Sequence, residues 1–379
     1  MSRPRVLHVY KDYYPPVLGG IEATINLMAR GTLDACDVTV LVCSGGRTRS
    51  DEVIDGVRVV RVPELGRLSS APVSPAFPSE LRRLARKADL LHVHHPNPTG
   101  DVSCLLVRPA APIVMTYHSD VVRQKKAMWL YGAVQERMMR RCKVIMPTSP
   151  NYIESSDWLQ RHAEKCIVVP LGIDLARFEK TTETESSATI VRQKYPGPIT
   201  IFVGRLRYYK GLEFLVRAMP QIPGTLLIIG TGPESDRLQS LIAETGLLNR
   251  VHLLGDQDES QLVAHLHAAD AFCMPSHLRS EAFGLSQVEA MACALPVVST
   301  TIPTGVPFVN HDGVTGFSVE PASPDALAQA LNRIYSNPHL RTQMGAAARQ
   351  RAVTTFNAAR MCADLKRVYS QVLGSTTAE

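Results

Sequence analysis

Two basic residues follow an apolar stretch near the middle of the chain, at a spacing suited to a phosphate group. Ile199–Val203 (ITIFV) has the composition of a buried strand. Gly204 and Arg205 come directly after it, and Lys210 precedes the start of a helical pattern. Arginine can bind an oxyanion through two hydrogen bonds, and lysine acts as a point charge. The pattern therefore predicts a diphosphate site, with a solvated basic loop as the alternative.

Two glutamates lie farther along, in Ser280–Met291 (SEAFGLSQVEAM), with seven residues between them. We expect Glu281 in a loop after a strand and Glu289 one turn inside a helix that begins near Gly284. Carboxylates accept hydrogen bonds from neighbouring hydroxyls, and the amides of a helix N-terminus suit phosphate. The segment therefore predicts a ligand that carries both phosphate and hydroxyl groups.

Glycine pairs mark two other turns. Gly19 and Gly20 open a helix after the first strand, where free amides could meet phosphate or sugar oxygens, although such turns are also a common structural device. Gly230 and Gly232 follow the strand Thr225–Ile229 without the third glycine of a dinucleotide-binding loop. These turns argue against a nicotinamide-dependent dehydrogenase.

Histidines cluster in a third segment. His92 and His94 occupy alternate positions of a predicted strand and share a face, and His95 follows. No third ligand or carboxylate set is evident beside them, so we expect no metal site. We interpret His94 and His95 as part of a loop near a second substrate, with structural histidines as the alternative.

Strand and helix patterns alternate through most of the chain, which predicts α/β architecture with buried parallel sheets. The polar stretch Lys180–Lys194 is predicted to connect two such units and lead into the second. The predicted strands are Arg5–Tyr10, Asp37–Ser44, Val57–Val62, Asp89–His94, Pro112–His118, Lys143–Ser149, Lys165–Leu171, Ile199–Gly204, Thr225–Gly230, Val251–Gly255, Ala271–Ser276 and Pro296–Thr300. From Asp325 onward we expect helices without further strong strands.

Bulk properties narrow the function classes. The 379 residues carry a formal net charge of +6, and no dense basic face or nucleic-acid-binding motif is apparent, so we expect no nucleic-acid partner. The eight cysteines show no CxxC spacing and are expected to be free thiols. No signal peptide or membrane span is evident, so we expect a cytoplasmic protein, with possible contact to an anionic membrane on the cytoplasmic face of the inner membrane through 123–141. A helix packed on its own domain is the alternative reading of 123–141.

Taken together, these motifs resemble the GT-B retaining glycosyltransferases, in particular family 4. Besides the basic loop and the two glutamates, the resemblance rests on Gly19-Gly20, His118-Ser119-Asp120, Pro170–Asp174, Ala294–Ser299 and Asp312–Phe317 in the expected order, and it covers essentially the whole chain. It implies two Rossmann-like domains facing each other across a cleft. The domains would span 1–175 on the acceptor side and 176–355 on the nucleotide-sugar side, with 356–379 crossing back to the first.

The resemblance also implies roles for individual residues. The cations Arg205 and Lys210 would neutralise the donor diphosphate, and Glu281 and His118 would contact the transferred sugar. Glu289 would hold the ribose. The donor would also meet Gly19, Gly20, Gly204 and the backbone amides of Phe283, Gly284 and Leu285, and Asp120 would touch the acceptor.

The function implied is transfer of a mannose- or rhamnose-like hexose, with retention, from a nucleotide sugar to a glycan or polyprenyl-linked glycan in bacterial surface-polysaccharide (O-antigen) biosynthesis. The run from Ser276 to Glu289 favours a GDP-linked donor by analogy. No cofactor or metal is expected. A UDP-sugar-dependent transferase, a GT-B epimerase or phosphorylase, and a non-catalytic nucleotide-sugar-binding scaffold are the alternatives.

Overall fold

The computed structural model describes residues 3–15, 17, 19–68, 71–121 and 125–376, without the side chains of 125–130 and 375–376. Contacts between residues divide the chain into two units. Unit 1 comprises Met1–Gly172 with Ala358–Glu379, and unit 2 comprises Ile173–Asn357. The boundaries predicted from the sequence lie a few residues away, after 175 and 355.

Strands and helices alternate along most of the chain. The strands are β1 (Arg5–Val9), β2 (Asp37–Cys43), β3 (Ser50–Ile54), β4 (Val57–Val62), β5 (Gly66–Leu68), β6 (Ala71–Val73), β7 (Leu90–His95), β8 (Ile113–Tyr117), β9 (Val144–Pro147), β10 (Ile199–Val203), β11 (Thr225–Ile229), β12 (Val251–Gly255), β13 (Ala271–Met274), β14 (Val297–Thr300) and β15 (Gly316–Val319). The α-helices are α1 (Gly20–Arg30), α2 (Phe77–Ala85), α3 (Pro98–Val107), α4 (Lys125–Arg141), α5 (Pro150–Ser155), α6 (Asp157–Gln160), α7 (Thr182–Lys194), α8 (Leu212–Ala218), α9 (Ser235–Glu244), α10 (Glu259–Ala268), α11 (Leu285–Ala292), α12 (Val306–Val309), α13 (Pro324–Tyr335), α14 (Pro338–Thr355) and α15 (Ala358–Thr376).

Unit 1 is built on a sheet in the order β3–β4–β2–β1–β7–β8–β9. Its neighbouring strands pair in parallel except for β3, which pairs antiparallel with β4. Strands such as β7 are buried along their whole length, because helices cover both faces of a parallel sheet. Chain order reverses between β1 and β7, and ligands of such sheets bind at that switch point, beyond the carboxyl ends of the strands.

Unit 2 repeats the arrangement with a parallel sheet in the order β12–β11–β10–β13–β14–β15. Its core contains β-strand residues such as Phe202 and Ile228 packed against helix residues such as Leu215 and Leu331. The switch point lies between β10 and β13. The loops after these two strands carry the predicted diphosphate and glutamate motifs.

Two predictions about individual segments were wrong. Lys180–Lys194 is mostly helix α7, which begins at a capping box formed by Thr181 and Thr184, rather than a linker. Lys165–Leu171 forms a single bridge, at Cys166, instead of a strand. The strands β3, β5, β6 and β15 were not predicted.

Candidate functional site

The basic loop and the glutamate segment meet at the switch point of unit 2. Lys210 and Glu281 are 71 residues apart in the chain, yet the lysine Nζ lies 2.5 Å from Glu281 Oε2. Their side chains are only 10% and 9% exposed. Ser276, two residues after β13, donates a 3.0 Å hydrogen bond to the same carboxylate. The basic loop and the glutamate segment, which are distant in sequence, therefore form one charged cluster.

The ion pair keeps Lys210 charged inside the protein. Burial alone would lower the pKa of the Lys210 ammonium, but the Glu281 carboxylate, together with Tyr209 and Glu289, outweighs this effect, and the pKa is raised. A charged ammonium at this position can exchange its carboxylate partner for an incoming phosphate without first taking up a proton.

Close backbone packing brings the two loops together. Gly211 has a φ of +68°, and a Cβ on it would lie 2.1 Å from the carbonyl oxygen of Pro275. Gly284 has a φ of +78° and caps the N-terminus of α11. Only glycine adopts such conformations without strain, so these residues fix the approach of the Lys210 loop to the Glu281 loop.

Free amides at the start of α11 add anion-binding capacity. Within the part of the chain that the structure describes, the N–H groups of Gly284, Leu285 and Ser286 donate to no acceptor. Phe283, which precedes them, is buried. Unpaired amides at a helix N-terminus favour phosphate, and here they lie on the loop that also carries Glu281.

Glu289 lies farther along α11 and is partly buried. Burial raises the pKa of its carboxyl group, against the lowering effects of Arg177 and Lys210. Among the described residues its carboxylate accepts no hydrogen bond; Arg177 instead pairs with Glu259, with 2.8 Å between Nη2 and Oε2. A desolvated carboxylate without donors is suited to accept hydrogen bonds from ligand hydroxyls.

Arg205 follows Gly204, and its side chain is exposed. It makes no ion pair with another described residue, which leaves the guanidinium available to a ligand. Gly204 itself has a φ of +148°, and a Cβ on it would lie 3.5 Å from Lys210 Nζ. The two cations and Gly204 therefore belong to one loop.

In unit 1, the glycine pair caps the helix that follows β1. Gly19 is the N-cap of α1 and Gly20 its first residue. A Cβ on Gly19 would lie 2.0 Å from Glu22 Oε2, at the end of a flexible side chain. Pro16 and Leu18, which precede the glycine pair, lie outside the described residues.

His118 follows β8 directly. Its side chain is 4% exposed, and its Nδ1 atom is buried without a hydrogen-bond partner among the described residues. Asp120, partly buried, accepts hydrogen bonds from the hydroxyls of Tyr117 (2.6 Å) and Ser156 (2.8 Å). The carboxylate of Asp120 is thus already hydrogen-bonded to protein hydroxyls.

The expected loop around His94 and His95 is wrong. Both residues belong to strand β7 and are fully buried, so they do not lie in a loop. His94 is on the same sheet face as His8 and His92, and ligand atoms of these three lie within 4.8 Å of one another. His8, on β1, is the neighbour that the sequence pattern did not reveal, because strand pairing is not visible in sequence.

The proposed membrane segment is described only in part. Residues 123 and 124 and the side chains of 125–130 lie outside the described residues. In the remainder of α4, Arg137 is exposed, Arg140 pairs with Glu136 at 2.8 Å, and Arg141 donates to the carbonyl of Pro109. No helix in the described ranges is long and apolar enough to cross a membrane.

Comparison with protein families agrees with this geometry. Residues 187–351 match the model of group 1 glycosyl transferases, and residues 19–172 match a glycosyl transferase 4-like domain. The chain is 32% identical over 374 residues to O-antigen chain mannosyltransferase C of Escherichia coli, covering 98% of this chain and 99% of that protein. It is 35% identical over 356 residues to the D-rhamnosyltransferase WbpZ of Pseudomonas aeruginosa, covering 93% and 92%.

Solved structures show the same fold. Sucrose-phosphate synthase from Thermosynechococcus elongatus superposes with a TM-score of 0.81 at 23% identity, over 98% of this chain and 100% of that one. Anabaena Alr3699/HepE in complex with UDP gives 0.78 at 21% identity, over 97% and 100%. The expected fold and family are confirmed: this chain is a glycosyltransferase of the GT-B fold, belonging to the group 1 and 4-like family.

Proposed function

We propose that the protein is a retaining hexosyltransferase that moves a mannose- or rhamnose-like sugar from a GDP-linked donor to a glycan or lipid-linked glycan of bacterial surface polysaccharide. The observation that carries the proposal is the Lys210–Glu281 pair at the switch point of unit 2, beside the unpaired amides of α11. This cluster offers positive charge and amide donors to a diphosphate, and carboxylates to hydroxyl groups.

Each part of the donor has a partner in this arrangement. The diphosphate is held by Lys210, Arg205 and the amides that begin α11. Glu289 accepts hydrogen bonds from the ribose hydroxyls, and Glu281 contacts the transferred sugar. When the phosphate takes over Lys210, the Glu281 carboxylate is released to accept hydrogen bonds from the sugar.

The reaction follows from where negative charge develops. The bond between the anomeric carbon and the diphosphate oxygen breaks, and the acceptor oxygen bonds to the same face of the anomeric carbon. The acceptor hydroxyl proton passes to an oxygen of the leaving diphosphate, so no separate base is required. Lys210 and Arg205 stabilise the charge on the leaving group, which is the usual role of preorganised cations, and we propose that no metal cofactor is needed.

The choice of sugar and acceptor rests on the two relatives named for O-antigen mannosyl transfer and D-rhamnosyl transfer. Both names describe six-carbon sugars with a mannose-related configuration. A GDP-linked donor is the proposal that fits both sugars, and a UDP-linked donor is the principal competing outcome.

A thermal-shift panel of GDP-, UDP-, ADP- and dTDP-sugars tests the donor. A ligand that binds only the folded protein raises the melting temperature by mass action. We expect a selective shift with GDP-mannose or a GDP-deoxymannose, and loss of that shift in Lys210→Met. Lys194→Met, the same change at an exposed position on α7, is the matched control. A selective UDP-sugar shift would replace the proposed donor, and no shift with any member would refute the proposed site.

Product analysis tests the remaining chemistry. With the donor identified, the anomeric configuration of the product is read by NMR, and retention is expected. Turnover should continue in excess EDTA. An inverted product, or loss of activity that added divalent cation restores, would overturn the proposed mechanism.

We propose further that the protein works on the cytoplasmic face of the inner membrane, with 123–141 contacting anionic lipid. Charge attraction of this kind weakens with salt. Co-sedimentation with vesicles containing anionic lipid is expected at low salt, together with reduced binding when Arg137 is changed to Glu. Absence of co-sedimentation would contradict this part.

A further inference from the structure

A line of hydrogen-bonding side chains is buried at the switch point of unit 1. Strand register explains how it forms: His8 on β1 lies opposite His92 on β7, and His94 lies opposite Thr116 on β8. Alternate residues of a strand share a face, so all four side chains project to the same side of the sheet. There they meet Tyr369 from α15.

These side chains form a continuous sequence of hydrogen bonds. We call it the imidazole chain, and its members in order are Thr116, His92, Tyr369, His8, His94 and His118. The successive distances are 2.7 Å (Thr116 Oγ1 to His92 Nε2), 2.7 Å (His92 Nδ1 to Tyr369 OH), 3.3 Å (Tyr369 OH to His8 Nε2), 3.0 Å (His8 Nδ1 to His94 Nε2) and 3.1 Å (His94 Nδ1 to His118 Nε2).

The imidazole chain is uncharged at neutral pH. Burial lowers the pKa of His8 to about 3, and burial with a smaller contribution from His95 does the same for His118. Burial also holds the pKa of His92 and His94 well below the ordinary value, and it raises the pKa of the Tyr369 hydroxyl. Every member therefore has one hydrogen to donate and at least one lone pair to accept with.

Each neutral histidine donates from one ring nitrogen and accepts at the other, so the direction of donation can reverse only at Tyr369, whose hydroxyl could accept from both His92 and His8. In the first direction, Thr116 donates to His92 and each member donates to the next, so His94 donates to His118 Nε2 and the His118 hydrogen sits on Nδ1. In the second direction, His118 carries its hydrogen on Nε2 and donates to His94. Each member again donates to its neighbour, and the hydroxyl hydrogen of Thr116 is left at the end without an acceptor.

The two directions differ in how many buried polar groups stay unpaired. Among the described residues, Thr116 Oγ1 has no hydrogen-bond partner other than His92, and His118 Nδ1 has none. The first direction leaves one group unpaired, the His118 Nδ1–H. The second leaves two, the Thr116 hydroxyl hydrogen and the His118 Nδ1 lone pair. An arrangement in which Tyr369 accepts from both sides also leaves two, its own hydroxyl hydrogen and the His118 Nδ1 lone pair. An unpaired buried polar group is costly, so the first direction is favoured.

We propose that Thr116, Tyr369, His8 and His94 are positioning residues that hold His118 in the Nδ1–H tautomer, so that His118 presents a hydrogen-bond donor to a substrate oxygen and cannot serve as a base. This inference rests on the proposed function for the presence of a substrate beside His118. The tautomer itself depends only on the hydrogen bonds of unit 1.

Nitrogen NMR of the full-length protein, labelled with 15N-histidine, reads the tautomer directly. The His118 signals are assigned by their loss in His118→Asn. We expect the pyrrole-type shift at Nδ1 and the pyridine-type shift at Nε2, with the Nδ1–H form in excess by roughly tenfold or more, the ratio that corresponds to one additional unpaired buried polar group.

Two isosteric variants break the imidazole chain at different points. Thr116→Val removes the hydroxyl at the end of the imidazole chain opposite His118. Tyr369→Phe removes the hydroxyl that joins His92 to His8. In either variant both directions leave equal numbers of unpaired groups, so the two tautomers of His118 should become comparably populated. The kcat for hexosyl transfer should fall severalfold, whereas nucleoside diphosphate affinity, set in unit 2, should stay unchanged.

Tyr335→Phe is the matched control. Its hydroxyl is hydrogen-bonded to Thr200 at 2.6 Å in unit 2, so the variant loses a partly buried tyrosine hydrogen bond outside the imidazole chain. It should leave the His118 spectrum and the kcat unchanged.

Three results would overturn the proposal: an Nε2–H tautomer in the unmodified protein, a His118 spectrum unaffected by both variants, or one equivalent of tightly bound zinc in the purified protein. A metal held by His8, His92 and His94 would need lone pairs that the imidazole chain uses, so elemental analysis separates the two uses of this cluster. The tautomer spectrum requires no substrate, so an inactive protein with the expected spectrum would refute the proposed function alone.

Discussion

Replacing Lys210 with methionine isolates the contribution of its charge to both stability and catalysis. The change keeps a similar side-chain length and leaves the Glu281 carboxylate buried, with only the Ser276 hydroxyl as a described partner. Removing one member of a buried ion pair costs about 3–5 kcal/mol, because the other charge stays desolvated without compensation. For a unit of the size of 173–357, each kcal/mol corresponds to roughly 2–4 °C. We therefore expect Lys210→Met to lower the melting temperature of unit 2 by about 6–20 °C.

The double variant Lys210→Met/Glu281→Gln separates charge from packing. It removes both charges while the glutamine can still accept the Ser276 hydrogen bond, so most of the lost stability should return. Turnover should not return, because the leaving diphosphate has lost a preorganised cation; we expect a decrease of at least about 100-fold. Differential scanning fluorimetry and initial rates of hexosyl transfer provide the two measurements.

The exposed Lys194 supplies the control, since Lys194→Met alters net charge equally. If Lys210→Met melts at the same temperature as Lys194→Met, the ion pair does not stabilise unit 2. If the double variant is as unstable as Lys210→Met, the loss came from packing, and the reasoning from a desolvated carboxylate is refuted.

Three further predictions concern the same site. Burial raises the folded-state pKa of Glu289, so its charged form opposes folding once the pH rises through that pKa. Glu289→Gln should therefore raise the melting temperature at pH 7.5. The gain should shrink toward pH 4, where the Glu289 carboxyl group becomes protonated. The same variant should weaken nucleoside diphosphate binding by roughly 10- to 100-fold in calorimetry, through lost charge-assisted hydrogen bonds to the ribose, and a pH-independent melting temperature difference would contradict the assignment. Arg205→Ala should leave the melting temperature within about 1 °C, as expected for an exposed side chain, while the affinity for nucleoside diphosphate falls most at low salt; equal affinity at all salt concentrations would remove Arg205 from the site. Gly284→Ala should lower the free energy of unfolding in denaturant by about 1–2 kcal/mol because its backbone is left-handed, and by more because its Cβ would lie 2.7 Å from a β13 side chain. The loss should be larger than in Gly313→Ala, where the φ is +73° but no atom lies within 4 Å of the added Cβ.

Local sequence patterns were sufficient for the α/β class and for the position of most strands. Apolar runs such as Ile199–Val203 and Thr225–Ile229 are buried on both faces in a parallel sheet, so their continuous hydrophobicity predicts strands without tertiary information. The failure at Lys180–Lys194 has an equally local cause. Its threonines and serines suggested a connection, but the Thr181 capping box and the packing of α7 on α10 stabilise a helix of weak intrinsic propensity.

The sequence by itself also determined which residues of unit 2 form the proposed site, because motif order and residue type identify cations, carboxylates and a glycine-led helix start. Only the tertiary structure decided that Lys210 and Glu281 are partners, since the strand order that places β10 beside β13 is not encoded in any local spacing. The same holds for the imidazole chain, whose members come from β1, β7, β8 and α15. Hydrogen bonds between distant segments depend on register and packing direction, and those arise only when the whole sheet and its covering helices have assembled.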